Sequence, residues 1–262
     1  ERASFPHYIG VSTKPYVNVG KMKNHGFDTS LEYNQRVGQV RLSGKANFTY
    51  AHNTIIDNDQ PDWKYPYLNR RGQMLWQQYG LVAAGLFESQ ADIDSWPTQT
   101  FGEVKPGDIK YIDINGDGKI DTNDEKPIGW AAVPEIVYGF GLSAAWKGLD
   151  CSVFFQGAGH VTLQQSGSAI QAFSARNMME SGVYEDIYYN HWSEDNPNPN
   201  AKYPRLSIGS NKNNFRNSTF WQKDMSYLRL KTVEIGYNFP SKWIDPIHIS
   251  GLRIYLSGVT LL

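Results

Sequence analysis

Cysteine is almost missing from this sequence: Cys151 is the only one in 262 residues. A single thiol excludes an intrachain disulfide framework and a cysteine-rich zinc site. An excess of one charge is missing too, with 25 Lys+Arg against 26 Asp+Glu and a net charge of −1. A nucleic-acid partner would want a clustered basic surface, so the balance argues for no nucleic acid. No apolar run approaches the ~18 residues of a transmembrane helix, which excludes that class of membrane span. A transmembrane barrel stays open, because its strands alternate and keep the average hydropathy low. Helical periodicity is scarce as well, with short helices expected only at 89–96 and 169–180.

What is there instead is alternation with a period of two, the mark of strands. In 27–34, Phe27, Leu31 and Tyr33 share one face while Asp28, Ser30, Glu32 and Asn34 share the other. In 40–50 the split is nearly complete: Val40, Leu42, Gly44, Ala46, Phe48 and Tyr50 against Arg41, Ser43, Lys45, Asn47 and Thr49. Residues 138–146, 149–155 and 252–256 repeat it, and 227–237 is a further extended run with more mixed faces. The lengths, about 9–11 residues, suit a tilted crossing of a hydrocarbon layer. Connections alternate between short and very long. Gly38 and Lys147-Gly148 mark tight hairpins, whereas 51–135 and 157–225 are long and rich in Asn, Asp, Pro, Gly and aromatics. Short turns on one side and long loops on the other are the asymmetry of outer-membrane barrels. A soluble antiparallel sandwich with an inner apolar core is the competing fold.

One stretch carries clear chemistry. Asp113, Asn115, Asp117, Lys119, Asp121 and Asp124 occupy positions 1, 3, 5, 7, 9 and 12 of a calcium loop, with Gly118 at the turn position. A hard cation needs six to eight oxygens, which alternate side chains and the Lys119 carbonyl would supply. Asp124 is shorter than the usual bidentate glutamate. No helices flank the loop, so calcium (Ca2+) here would be structural. Elsewhere the six histidines lack metal-ligand spacing, and no nucleophile elbow or carboxylate pair stands out; no enzyme is expected. Residues 184–206 interleave Tyr184, Tyr188, Tyr189, His191, Trp192 and Tyr203 with amides and carboxylates. Such a mixture stacks on the apolar faces of sugars or peptides while bonding their rims. Tyr188, His191 and Trp192 are the candidate substrate-binding residues.

Several segments together resemble one family. They include Lys105-Pro106-Gly107-Asp108 running into Asn115-Gly116-Asp117-Gly118, Phe154-Phe155-Gln156-Gly157, and His191-Trp192 with Pro204-Arg205-Leu206. Val17-Asn18-Val19-Gly20, Ser226 to Lys231, and Gly236-Tyr237-Asn238-Phe239-Pro240 complete the set. In this order they are similar to the later part of SusC/RagA-like TonB-dependent outer-membrane receptors. The resemblance implies an all-β fold: part of a large antiparallel transmembrane β-barrel of about 22 strands. Residues 1–262 would supply roughly six to eight of them, with 51–135 and 157–225 as extracellular loops and the plug domain and early strands lying outside. Apolar faces would meet outer-membrane lipid, and Asp28, Glu32, Arg41 and Lys45 would face the lumen. It further implies import of an oligosaccharide or peptide across the outer membrane of a Gram-negative bacterium. A SusD-like surface lipoprotein would lid the mouth, and the TonB complex would supply energy. A soluble, secreted, calcium-stabilised carbohydrate-binding β-sandwich is the alternative.

Overall fold

The computed structural model describes residues 20–167, 169–173 and 182–261. Val17–Val19 of the resemblance, and most of the helix expected at 169–180, fall outside them. The described chain divides into two compact units. One comprises Asn24–Asn53, Val133–Val161 and Met225–Leu262; the other comprises Glu1–Lys23, Thr54–Ala132 and Thr162–Asp224.

The first unit holds the long strands, apart from the first residues of β1 and the last of β2: β1 (Lys21–Val37), β2 (Val40–Asp57), β3 (Ile136–Trp146), β4 (Leu149–Gly159), β5 (Tyr227–Asn238) and β6 (Arg253–Val259). They form one sheet in chain order, and every neighbour from β2 to β6 pairs antiparallel. The alternation explains the arrangement. Across the ladder, Leu42, Ala144, Cys151, Ile235 and Leu256 stand in one row. Gly44, Leu142, Val153, Val233 and Gly258 stand in the next. Between these rows, and so on the opposite face, run Ser43, Ser143, Ser152, Glu234 and Ser257. The apolar rows are open, with Leu142 63% and Leu256 79% exposed. A soluble sandwich would cover that face with a second sheet, and among the described residues there is none. Hydrocarbon is the medium such a face requires.

The polar face is internally bonded. Ser43 and Ser143 share a 2.5 Å hydrogen bond, and Lys45 reaches Glu32 at 3.3 Å. Arg253 Nη2 lies 2.5 Å from Asp150 and 2.6 Å from Glu234. The β3–β4 turn is a two-residue hairpin, Lys147 at φ 47° and Gly148 at φ 89°, the left-handed pair that matches strand twist. A Cβ on Gly148 would also meet the Asn238 carbonyl at 2.5 Å. β5, with 12 residues, is close to the expected 9–11, but β1 has 17 and the neighbouring β2 has 18. Their ends run past the apolar stretch, where no lipid imposes alternation. Between β5 and β6 the chain makes a short helix, Ser241–Ile244, and a 3-10 turn, Asp245–Ile247.

The second unit is built from the two long connections, and it has a core of its own. Leu81, Leu86, Ile109, Tyr111, Ile120, Ile187, Trp192, Tyr203 and Trp221 pack together and are buried. Two-residue to four-residue strands pin it: Ala83–Leu86 with Ile109–Tyr111, Thr98–Gln99 with Lys119–Ile120, and Thr162–Gln164 with Gln222–Asp224. Helix α1 (Gln90–Asp94) starts where Ser89 accepts the Asp92 N–H at 3.3 Å, a side-chain N-cap. Helix α2 (Glu185–Asn190) was not expected from sequence. Its six residues hold one buried anchor, Ile187, too little for a periodic signal.

Candidate functional site

The loop unit is organised around a buried carboxylate. Asp108 is 0% exposed, and Arg205 donates to its Oδ2 from Nη2 at 3.0 Å. Asn211 and Asn214 donate side-chain amides to Oδ1 at 3.1 and 2.8 Å, and the Lys105 N–H donates to Oδ2 at 2.8 Å. Four hydrogen bonds therefore satisfy a charge that burial alone would make very costly. The network continues outward. Asn214 Oδ1 accepts the Ile109 N–H at 2.9 Å, Asn213 Oδ1 accepts from Gln99 at 2.7 Å, and Gln99 Oε1 accepts the Tyr111 N–H at 2.7 Å. Burial pushes the Tyr111 phenol up, so it donates to the Asn213 carbonyl as a neutral hydroxyl, at 2.8 Å.

On this frame α2 presents an aromatic surface. Ile187 inserts into the core while Tyr184, Tyr188 and Tyr189 are 63%, 61% and 67% exposed. Tyr188 and Tyr189 meet edge to face, with ring centroids 5.1 Å apart, and Tyr188 lies 6.3 Å from the His191 ring. His191 Nδ1 is held 2.7 Å from the Tyr188 carbonyl. The helix is fastened at Asp186, which accepts from Lys202 at 2.5 Å, Tyr203 at 2.7 Å and Asn190 at 2.9 Å. The Lys202 and Tyr203 hydrogen bonds hold the Asp186 carboxyl below the usual aspartate range. Burial, and then the bond to Asp186, push the Tyr203 phenol up. Chemically this is a stacking platform with a charged rim.

Of the three expected ligand residues, two belong to that surface and one does not. Tyr188 and His191 are at the platform. Trp192 is 5% exposed and lies in the core, over Gly107, where an added Cβ would meet its ring at 2.1 Å. Its place among sequence-adjacent aromatics suggested a ligand contact, but the backbone turns it inward: the Trp192 N–H bonds the Tyr203 carbonyl at 3.0 Å. Tyr184 and Tyr189 complete the surface in its stead.

The calcium loop folds around its own carboxylates. Asp113 accepts the Gly116 and Gly118 N–H groups at 2.7 and 2.8 Å; Asn115 accepts from Asp117 at 2.9 Å, and Asp117 from Lys119 at 3.0 Å. These turns leave second lone pairs on Asp113, Asn115 and Asp117, so their chemistry fits a hard cation. Asp124 does not fit the role given to it. It is 0% exposed, and its two oxygens accept the N–H groups of Ile114, Asn115 and Asp121 at 2.8, 3.3 and 2.8 Å. With Asp121 it forms a capping box on the 3-10 turn Thr122–Asp124. Among the described residues, no three carboxylate, imidazole or thiol groups converge as a metal cage.

Comparison with known proteins places this fold. No protein-family model matches the chain. TonB-dependent receptor P3 of Formosa agariphila is 27% identical over 275 residues, covering 98% of this chain and 26% of that protein. TonB-dependent receptor P26 of the same organism is 28% identical over 94% of this chain and 25% of its own length. The solved RagAB peptide importer in its open-open state superposes on 100% of this chain and 27% of its own, with a TM-score of 0.71 and 22% identity. In its closed-closed state the TM-score is 0.69. The chain thus spans about a quarter of the length of these relatives. With its open apolar sheet face and a loop unit that has its own core, the chain is similar along nearly its whole length to TonB-dependent outer-membrane receptors, and its fold is that of part of the RagAB importer.

Proposed function

We propose that the complete receptor imports a bulky nutrient, an oligosaccharide or a peptide, with energy relayed through TonB and a SusD-like surface lipoprotein covering the mouth. The observation that carries this reading is the likeness to TonB-dependent receptors across 98% of the chain. In it, the loop unit lies outside the cell and the polar sheet face lines the lumen. The Tyr184, Tyr188, Tyr189 and His191 surface contacts ligand or lid. It is the reading of a transporter, and it assigns no covalent chemistry to these residues. The test is uptake of labelled oligosaccharides and peptides by cells with and without the receptor. Uptake that needs the receptor and stops when the proton gradient is collapsed supports the proposal. Receptor-dependent entry that survives an uncoupler contradicts it.

Structural calcium in the loop belongs to the same proposal. It rests on the donor spacing of Asp113, Asn115, Asp117, the Lys119 carbonyl and Asp121. The ion would stiffen a rim already shaped by the loop's own hydrogen bonds.

A further inference from the structure

The polar face of the sheet carries two groups of charges on β4, β5 and β6, and they are settled differently. Near the β3–β4 turn, the Arg253 cation has two carboxylates, Asp150 and Glu234. Toward the other ends of β4 and β5, Arg229 and Lys231 converge on one neutral oxygen. Arg229 Nη2 lies 3.3 Å and Lys231 Nζ 2.7 Å from Gln156 Oε1. Among the described residues, neither cation is within ion-pair distance of a carboxylate. Arg229 Nε is buried and bonds nothing. The guanidinium rests over the Tyr227 ring at 5.2 Å, which fixes its plane.

The backbone accounts for the convergence. Phe154 pairs with Thr232 but Phe155 pairs with Leu230, so the register slips and Lys231 is the extra residue of a bulge. Bulges re-aim a side chain. Here the bulge brings Lys231 to the same amide that Arg229 reaches, and leaves Leu230 opposite Phe155. Two cations on one amide oxygen, with a buried donor unused, lack the negative charge that would offset their repulsion. A planar guanidinium beside an ammonium is the pairing that recognises a carboxylate.

We propose that Arg229, Lys231 and Gln156 form a subsite on the lumen wall for a carboxylate borne by the imported molecule, so that the passenger is an acidic oligomer. This rests on the import reading above and deepens it. The test uses the complete receptor purified in detergent, titrated calorimetrically with tetraglutamate and with tetragalacturonate. Each is compared with its neutral counterpart, tetraglutamine or the methyl ester. The wild type binds at least one acidic probe about tenfold or more tighter than its neutral counterpart. The double variant R229Q/K231Q melts normally and loses that preference. Equal binding of acidic and neutral probes by the wild type overturns the proposal, as does a preference that survives in R229Q/K231Q. A carboxylate of the receptor's own remaining chain seated on Arg229 overturns it too. The titration needs no energised membrane. A receptor that binds the acid through these residues yet imports nothing therefore counts for the subsite and against the import reading.

Discussion

Asp108 and Arg205, 97 residues apart in sequence, form an ion pair whose carboxylate is wholly shielded from solvent and whose distance is 2.8 Å. It ties the first long connection to the second, and the Asn211, Asn213 and Asn214 amides extend it. Because a buried pair broken on one side leaves an uncompensated charge, Arg205→Met should cost about 3–5 kcal/mol of loop-unit stability. Limited proteolysis of the receptor in membranes checks this. The variant should be cut within the loop unit at protease levels that leave the wild type intact, and an unchanged digestion pattern would refute the role.

Trp192 and Tyr188 separate packing from binding. Trp192→Ala empties a core site and should destabilise the loop unit by about 3–5 kcal/mol. Tyr188→Ala alters an exposed side chain and should stay within about 0.5 kcal/mol, while weakening ligand retention. Thermal unfolding and ligand binding, measured on both variants, decide it. A stable Trp192→Ala protein would show that the tryptophan is not core.

Acid should loosen α2 through Asp186. Its folded-state pKa is lowered, chiefly by the Lys202 hydrogen bond and then by Tyr203. The stability it contributes is therefore present above the ordinary aspartate value of about 3.9. That contribution fades as the pH falls below it and is gone below the lowered value. The pair is exposed, so the effect is small. Hydrogen exchange at Ile187 and Tyr188 should rise in this window in the wild type but not in Asp186→Asn. Equal acid sensitivity in both proteins would exclude Asp186 as the cause.

A charge on the open sheet face should block membrane assembly. Leu42→Arg should cost about 2–4 kcal/mol at mid-depth, whereas Ser43→Arg on the opposite face should be tolerated. The yield of folded receptor in outer-membrane fractions reads this directly. Equal yields from the two variants would mean that the faces are not distinct.

Metal content tests the calcium loop. The purified receptor should carry one calcium more than Asp117→Ala, with Asp124 still capping its turn in both. Identical metal content in the two proteins would remove calcium from this loop.

The sequence made some of this legible and hid the rest, for physical reasons. The middles of β1 and β2 could be read because lipid on one side and water on the other enforce a two-residue period. Lys21 to His25 could not, because Met22 is the one apolar residue there and sets no alternation by itself. Their strand conformation comes from pairing alone. The loop core was hidden because Leu81, Ile109, Tyr111 and Trp221 meet only after the two connections fold together. The burial of Trp192 is hidden for the same reason, since closeness in sequence to Tyr188 does not say which side of the backbone faces the core. The segments containing Asp108 and Arg205 read as family-like stretches, yet nothing local pairs them.

The most direct test of the membrane account places a bimane probe at residue 142 or at residue 143. It uses Leu142→Cys and Ser143→Cys in a receptor otherwise free of cysteine, with Cys151→Ser. Brominated lipid should quench the probe at 142 strongly and at 143 hardly at all, because successive residues of β3 point to opposite faces. Equal quenching at both positions, or stronger quenching at 143, would contradict the assignment of the apolar face to lipid.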